Sequence, residues 1–263
     1  MTYPPFNPQW LQVAETAARA AGRIALDYRG RVEIRSKGLR DLVTEADELC
    51  QAEIKRILAA AFPDHAFLAE EKDDQPDRAS DFRWIIDPID GTSNYSYGLP
   101  IFCTSIALTY QNQPLVGVVY DPLRDDLFAA GRGQGATLNR TPLRVSQRSE
   151  LIEAMIGLEW ASRPDRRAET LRRLLVVGDK CLTVRSPGAA ALSLCYVAAG
   201  MFDAYFNVHL APWDVAAGAL LIQEAGGQVT TLDGSPWSLG FGGVLATNGR
   251  VHRALLETWG RDA

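Results

Sequence analysis

The sequence predicts an α+β N-terminal half on a mostly antiparallel sheet and an α/β C-terminal half. Three patterns carry this: two segments of helical period come first, a run of short strands follows, and strand and helix then alternate to the end. Composition permits such a body. Of 263 residues, 47% are hydrophobic and 22% charged, with Gly and Pro dispersed. That is enough to bury one large core or two smaller ones.

Trp10, Val13, Ala14, Ala17, Ala18, Ala21 and Ile24 recur at helical spacing, so a first helix is expected from Trp10 to Tyr28, with Gly30 to end it. The stripe Leu49, Cys50, Ile54, Ile57, Leu58 and Ala61 marks a second helix over 45–61, with Pro63 beyond it. Strands are expected at 67–68, 83–86, 103–110, 115–120 and 127–130, punctuated by Gly, Pro, Asn and Asp. The glycines of 131–135 read as a turn between strands, not as a dinucleotide fingerprint. A strand at 154–158, a charged helix at 165–177 and a strand at 182–185 open the second half. An alanine-rich helix at 189–199 and a helix from Asp214 to Gly226-Gly227 follow. Strands at 228–232 and 244–246 and a helix at 251–259 complete the chain. A boundary near residue 147 divides it into 1–147 and 148–263. With no long linker, the halves are expected to pack as one unit.

A net charge of −5 without any Lys/Arg cluster argues against nucleic acid as a partner. The N-terminal residues lack the basic and apolar regions of a signal peptide, and no stretch reaches the length of a membrane span. Cys50, Cys103, Cys181 and Cys195 are far apart and read as small buried hydrophobes, which fits a reducing cytoplasmic location. No C-x-x-x-x-x-R loop or G-x-x-x-x-G-K-[ST] loop is present. His65, His209 and His252 form no metal motif and read as surface or core residues. His209 has the best functional claim, being close in sequence to Asp214.

The densest signal is Trp84-Ile85-Ile86-Asp87-Pro88-Ile89-Asp90-Gly91-Thr92. An apolar strand runs into two aspartates, and Pro88 and Gly91 are expected to stop it there. Carboxylates held together by a tight turn repel unless a cation lies between them. Oxygen ligands alone suit Mg²⁺ or Mn²⁺. Taken alone, the pair reads equally well as turn formers; acids at other element ends weigh against that. Glu70-Glu71 follows the apolar Ala66-Phe67-Leu68. Neighbours on a strand face opposite ways, so one of the two is expected to be a ligand. Glu71, with Asp73 and Asp74, reads as a solvated charge run. Asp47 stands three residues after Thr44, the spacing of a capping box. Asp214 follows Pro212-Trp213 and reads as an N-cap with lone pairs to spare for a metal.

Together, Asp41-Leu42-Val43-Thr44-Glu45-Ala46-Asp47, Glu70-Glu71, the segment Asp87 to Thr92 and Trp213-Asp214-Val215-Ala216-Ala217-Gly218 resemble the signature of the inositol monophosphatase family. The resemblance extends to Gly131–Ala136 and Gly188–Leu192, and so to nearly the whole chain. It implies a layered αβαβα sugar-phosphatase fold. It also implies a Mg²⁺-dependent phosphomonoesterase acting on inositol monophosphate or a related small sugar or polyol phosphate, with Mn²⁺ as a possible substitute. Of two or three ions, one would sit on Glu70, Asp87 and the Ile89 carbonyl. A second would sit on Asp87, Asp90 and Asp214. A third, weaker ion near Glu70 would be the site where Li⁺ inhibits. Asp47, Glu70 and Thr92 match catalytic positions, with Asp47 and Thr92 orienting and deprotonating the attacking water. Glu71 matches an acid standing behind the ligands. The amides of Gly91 and Thr92 would hold phosphate oxygens. Asp90, Gly188, Ala189, Ala190 and Asn207 match substrate contacts.

Asn207 stands where inositol-specific members carry a glutamate, so a fructose bisphosphatase or histidinol-phosphate phosphatase is the alternative within the family. Lys37 is the nearest match to a family lysine but lies one position closer to Asp41. A nucleotide 3′-phosphatase would need a basic or aromatic patch that is lacking here. A non-catalytic regulatory protein on the same scaffold would carry a broken set of acids, and here every acid is present. The resemblance also implies a homodimer, and symmetric dimers are the commonest assembly.

Overall fold

The computed structural model describes residues 3–31, 34–38, 41–71, 79–161 and 163–260. The side chain of Lys37 lies outside the described residues, as do Lys72, Asp73 and Asp74. Helix α1 (Pro8–Tyr28) begins at Asn7, whose side chain accepts the Gln9 amide. It buries an alanine face, Ala14, Ala17, Ala18, Ala21 and Ala25. Small side chains there let it lie close to its neighbours. A hairpin of β1 (Ile34–Gly38) and β2 (Asp41–Thr44) leads directly into α2 (Glu45–Ala61).

Next comes a seven-stranded sheet: β3 (Ala66–Ala69), β4 (Phe82–Asp90), β5 (Cys103–Tyr110), β6 (Gln113–Asp121), β7 (Asp126–Gly131), β8 (Gly135–Leu138) and β9 (Thr141–Pro142), in that spatial order. Only β3 and β4 pair in parallel. A short helix, α3 (Thr92–Ser96), follows β4. The second sheet is mixed. It contains β10 (Met155–Leu158), β11 (Thr183–Arg185), β12 (Ala204–Leu210), β13 (Gln228–Thr230) and β14 (Gly242–Thr247), in the order β11-β10-β12-β14-β13.

Alternate residues of β4 separate two cores. Trp84 and Ile86 pack with α1 and α2. Ile85 packs on the other face with α5 (Ala190–Ala198) and α6 (Pro212–Glu224). Those two helices fill the space between the sheets, so α6 is buried all round, from Val215 to Ile222. The outer face of the second sheet is covered by α4 (Pro164–Val177) and α7 (His252–Gly260). The result is the layered αβαβα order. Among the described residues no helix is long and apolar enough to cross a membrane.

One close approach positions the site. A Cβ on Gly117 of β6 would lie 2.7 Å from the Ala217 carbonyl oxygen of α6. Glycine therefore lets α6 press onto the first sheet, and its N-terminal turn comes to rest beside the end of β4.

Several expectations need correction. Strand β4 does not stop at Pro88 but continues to Asp90 through an irregularity in its pairing with β5. Helix α6 begins at Pro212, two residues before Asp214. Strand β13 ends at Thr230, not Leu232. Strand β12, the centre of the second sheet, is not announced by the sequence pattern, nor are β1, β2, β8, β9 and α3.

Candidate active site

The irregularity in β4 is what gathers the acids. Asp87 lies opposite Ser105 and Asp90 opposite Cys103, so β4 advances three residues while β5 advances two. In a regular strand, residues three apart face opposite sides. The extra residue reverses that alternation, and both carboxylates face α6. Pro88 is tolerated because a bulge needs no ladder N–H there; its carbonyl accepts the Thr104 hydroxyl at 2.9 Å. Asp214 reaches the same point from α6. It is not the N-cap. It occupies the third position of the helix, and its Oδ2 accepts the Ala211 amide at 2.7 Å. One oxygen is thus used for capping, as the sequence suggested, but from inside the helix.

Asp87, Asp90 and Asp214 each place an oxygen within 4.8 Å of the others. Burial pushes all three pKa values up, and the acids' mutual repulsion adds to it. Asp87 Oδ1 is buried with no hydrogen-bond partner. An orphaned carboxylate oxygen among two further buried acids is the environment a divalent cation satisfies, so the residues fit a metal. Glu70 is held at the edge of the cluster, its amide donating to the Ile86 carbonyl at 3.1 Å. Its charge is a main contributor to the upward shift at Asp87.

Asp90 is also anchored across the layers. Its Oδ1 accepts the Ala190 amide at 3.1 Å and its Oδ2 the Ala191 amide at 2.7 Å, at the N-terminus of α5. Asp47 forms the expected capping box: its Oδ2 accepts the Thr44 amide at 2.8 Å and the Thr44 hydroxyl at 2.6 Å. Its other oxygen, Oδ1, faces the Thr92 hydroxyl at 3.4 Å. That hydroxyl is 3.0 Å from the Ile89 carbonyl. Gly91 makes this turn possible. Its φ is +90°, and a Cβ there would meet the Ile101 carbonyl oxygen at 3.0 Å.

Glu70, Asp90, Gly91, Thr92 and Asp214 line a cavity of about 670 Å³, together with Glu159, Trp160, Arg167, Gly188, Asn207 and His209. Ala190 lines it too. Ala189 and Ile89 are buried behind it. Within the fold, the Gly188 amide donates to Glu159 and the Ala190 amide to Asp90. Asn207 is buried. Its Oδ1 accepts the His209 amide at 2.9 Å, while its Nδ2 has only a long contact to the Tyr205 hydroxyl, 3.4 Å. Both polar atoms of the amide thus have partners within the fold.

Glu71 does not belong to a solvated charge run. It is buried beneath α2, where its backbone exchanges two hydrogen bonds with the Gln51 side chain. His65 stacks between Phe62 and Phe82, and His252 is buried between Thr230 and Thr247. His209 lines the cavity against Phe241, its pKa lowered by burial and by Arg166 and Arg163. The four cysteines are free and buried.

Sequence reading missed Glu159. It directly follows the apolar strand β10, the same signal that marks Glu70 and Asp87. Glu159 accepts from the Gly188 amide at 2.7 Å and from the Ser193 and Ser186 hydroxyls at 2.8 and 3.3 Å. Burial nevertheless raises its pKa from 4.5 to about 7. The folded protein thus retains a proton that the unfolded chain releases near 4.5, and stability should fall as pH rises between those values. Glu159→Gln removes this dependence. Its stability relative to the unsubstituted protein should rise between about pH 4.5 and 8 by up to about 3 kcal/mol. Urea melts of the chelator-treated proteins check this; a pH-independent difference would contradict it.

The arrangement of acids, turn and layers has counterparts in known proteins. An inositol-1-monophosphatase of Synechocystis is 40% identical over 261 residues, spanning 97% of this chain and 91% of the relative. The Nus factor SuhB of Haemophilus influenzae is 40% identical over 255 residues, 95% of each. The solved inositol monophosphatase of Anabaena superposes with a TM-score of 0.87 at 37% identity, over 97% of both chains. The sequence model of the inositol monophosphatase family matches residues 7–261. With an intact set of acids on the matching fold and a match running from end to end, the chain belongs to the inositol monophosphatase family.

Proposed function

We propose that the protein is a Mg²⁺-dependent phosphomonoesterase hydrolysing inositol monophosphate or a related small sugar or polyol phosphate. The observation that carries this is the buried convergence of Asp87, Asp90 and Asp214, with Asp87 Oδ1 left without a partner, on the floor of a cavity large enough for such an ester. A donor set of carboxylates without thiolate or imidazole suits hard cations, Mg²⁺ or Mn²⁺.

Glu70, Asp87 and the Ile89 carbonyl would hold one ion, and Asp87, Asp90 and Asp214 another. When bound, such a pair makes water a better nucleophile and neutralises charge on the leaving oxygen. The chain supplies the rest. Thr92 Oγ1 orients the attacking water and relays its proton to Asp47 Oδ1, which the capping box holds in place. The amides of Gly91 and Thr92 bind phosphate oxygens. Glu159 fixes the turn at Gly188 beside the leaving group. Phosphate release from inositol 1-phosphate with and without Mg²⁺ tests the reading; metal-independent release, or none in Mg²⁺ or Mn²⁺, refutes it.

Millimolar Li⁺ should inhibit that activity by occupying the weak site near Glu70, as read from initial rates at saturating substrate. Rates unchanged by Li⁺ would remove that site from the reading. Asn207→Glu replaces donors with an acceptor that suits ring hydroxyls. It should move the kcat/KM ratio toward inositol phosphate and away from fructose bisphosphate by about 1–3 kcal/mol. An unchanged ratio means that Asn207 does not set specificity.

Four buried free thiols support a reducing, cytoplasmic setting. Leu171 and Leu175, one turn apart on α4, are 46% and 79% exposed, which supports a second copy of the chain as partner.

A further inference from the structure

We infer that the preferred leaving group carries a second anion, a phosphate or carboxylate, and that Arg167 binds it. This rests on the phosphatase reading and names the substrate class for that site. Three observations lead there. The first is the charge of the cavity. Four acids, Glu70, Asp90, Glu159 and Asp214, line it, and among the described lining residues Arg167 is the single Arg or Lys.

The second is that Arg167 is held but not neutralised. Its Nε donates to the Ala161 carbonyl at 2.7 Å, which fixes the guanidinium at the wall. Its neighbours at the start of α4 are different. Arg163 lies 3.1 Å from Asp165 Oδ1, and Arg166 lies 3.8 Å from Asp165 Oδ2. Among the described residues, no carboxylate lies within ion-pairing distance of Arg167. A half-buried guanidinium with unpaired Nη donors favours an anion with two oxygens to accept them, a carboxylate or a phosphate.

The third comes from β12. Asn207 lines the cavity, but its Oδ1 is engaged by the His209 amide and its Nδ2 lies 3.4 Å from the buried Tyr205 hydroxyl. Arg167 thus offers donors beside Asn207 and Glu159, whose acceptor oxygens are already engaged within the fold, and a neutral polyol needs acceptors as much as donors. With the scissile phosphate among the acids and their cations, a second anionic group at Arg167 satisfies both ends.

The experiment compares inositol 1-phosphate, fructose 1,6-bisphosphate and 3-phosphoglycerate as substrates for the wild type, R167Q and R167K. The bisphosphate and the glycerate separate phosphate from carboxylate as the second anion. The ratio of kcat/KM for at least one of them to that for inositol 1-phosphate should fall about 10- to 100-fold in R167Q. R167K should lose less of the ratio than R167Q, because it keeps the charge while losing the Nε bond and the paired Nη donors. Equal losses on all three esters, or in R167K and R167Q alike, would mean that Arg167 only supports the wall, and the inference falls. If the wild type hydrolyses none of the esters, the phosphatase reading fails instead. Calorimetric affinities of the same esters for wild type and R167Q then decide Arg167 by itself, and equal affinities overturn it.

Discussion

Replacing Asp90 with Asn should abolish metal-dependent turnover while leaving the protein folded. The volume is unchanged, and the metal-free site loses one of three mutually repelling buried charges. Against that, an amide side chain cannot accept from both Ala190 and Ala191, since its NH₂ would face one of their N–H groups. Losing one charge-assisted bond costs about 1.5–3 kcal/mol. Relief of repulsion offsets part of this, so the melting temperature of chelated protein should move only a few degrees. Activity has no such compensation. The ligand's charge and one coordinating oxygen are lost together, and kcat should fall at least about a thousandfold, on the order of 4 kcal/mol of barrier. Stabilisation by added Mg²⁺, read as a rise in melting temperature, should shrink in parallel. Hydrolysis within tenfold of the unsubstituted enzyme would show that Asp90 holds no catalytic cation.

Much of this site can be read from the sequence because each acid sits at the end of an apolar run, where periodicity stops and a carboxylate must have a reason to be there. Asp87, Asp90 and Glu70 stand out in that way, and Glu159 carries the same mark behind β10. The parts that escape depend on tertiary context. The bulge in β4 has no local signature beyond Pro88, which by itself argues for an end and not a continuation. Strand β12 is buried from Ala204 to Phe206 with Asn207 in its middle, so neither alternation nor a clean apolar run announces it. Glu71 looks solvated in a string of charges, and its place beneath α2, with its backbone bonded to the Gln51 side chain, depends on tertiary packing that no local signal announces. Arg167 lies in a helix rich in arginine, and nothing local distinguishes the one of them that lines the cavity.

Asp47→Asn is the more discriminating test of chemistry, because the structure gives the two oxygens of Asp47 separate duties. Oδ2 closes the capping box on Thr44, and Oδ1 faces Thr92. The substituted amide can direct its carbonyl to Thr44 and its NH₂ to Thr92. The cap then survives largely intact, at a stability cost of about 1 kcal/mol. Thr92 Oγ1, however, would accept a hydrogen bond from that NH₂ and keep its proton on the Ile89 carbonyl. The relay is blocked at its second step. Burial already raises the pKa of Asp47 to about 6 against the pull of Thr44, which makes it a stronger base than an exposed aspartate. Removing a positioned general base lowers kcat by about 10²–10⁴, while KM should change little because no contact to the ester is lost. Thr92→Val should produce a loss of similar size, and the double variant should be barely worse than either single one, since residues that act as a unit are not additive. Additive losses in Asp47→Asn and Thr92→Val would mean the two serve separate steps. A kcat within threefold of the unsubstituted enzyme for Asp47→Asn would return Asp47 to the role of a helix cap.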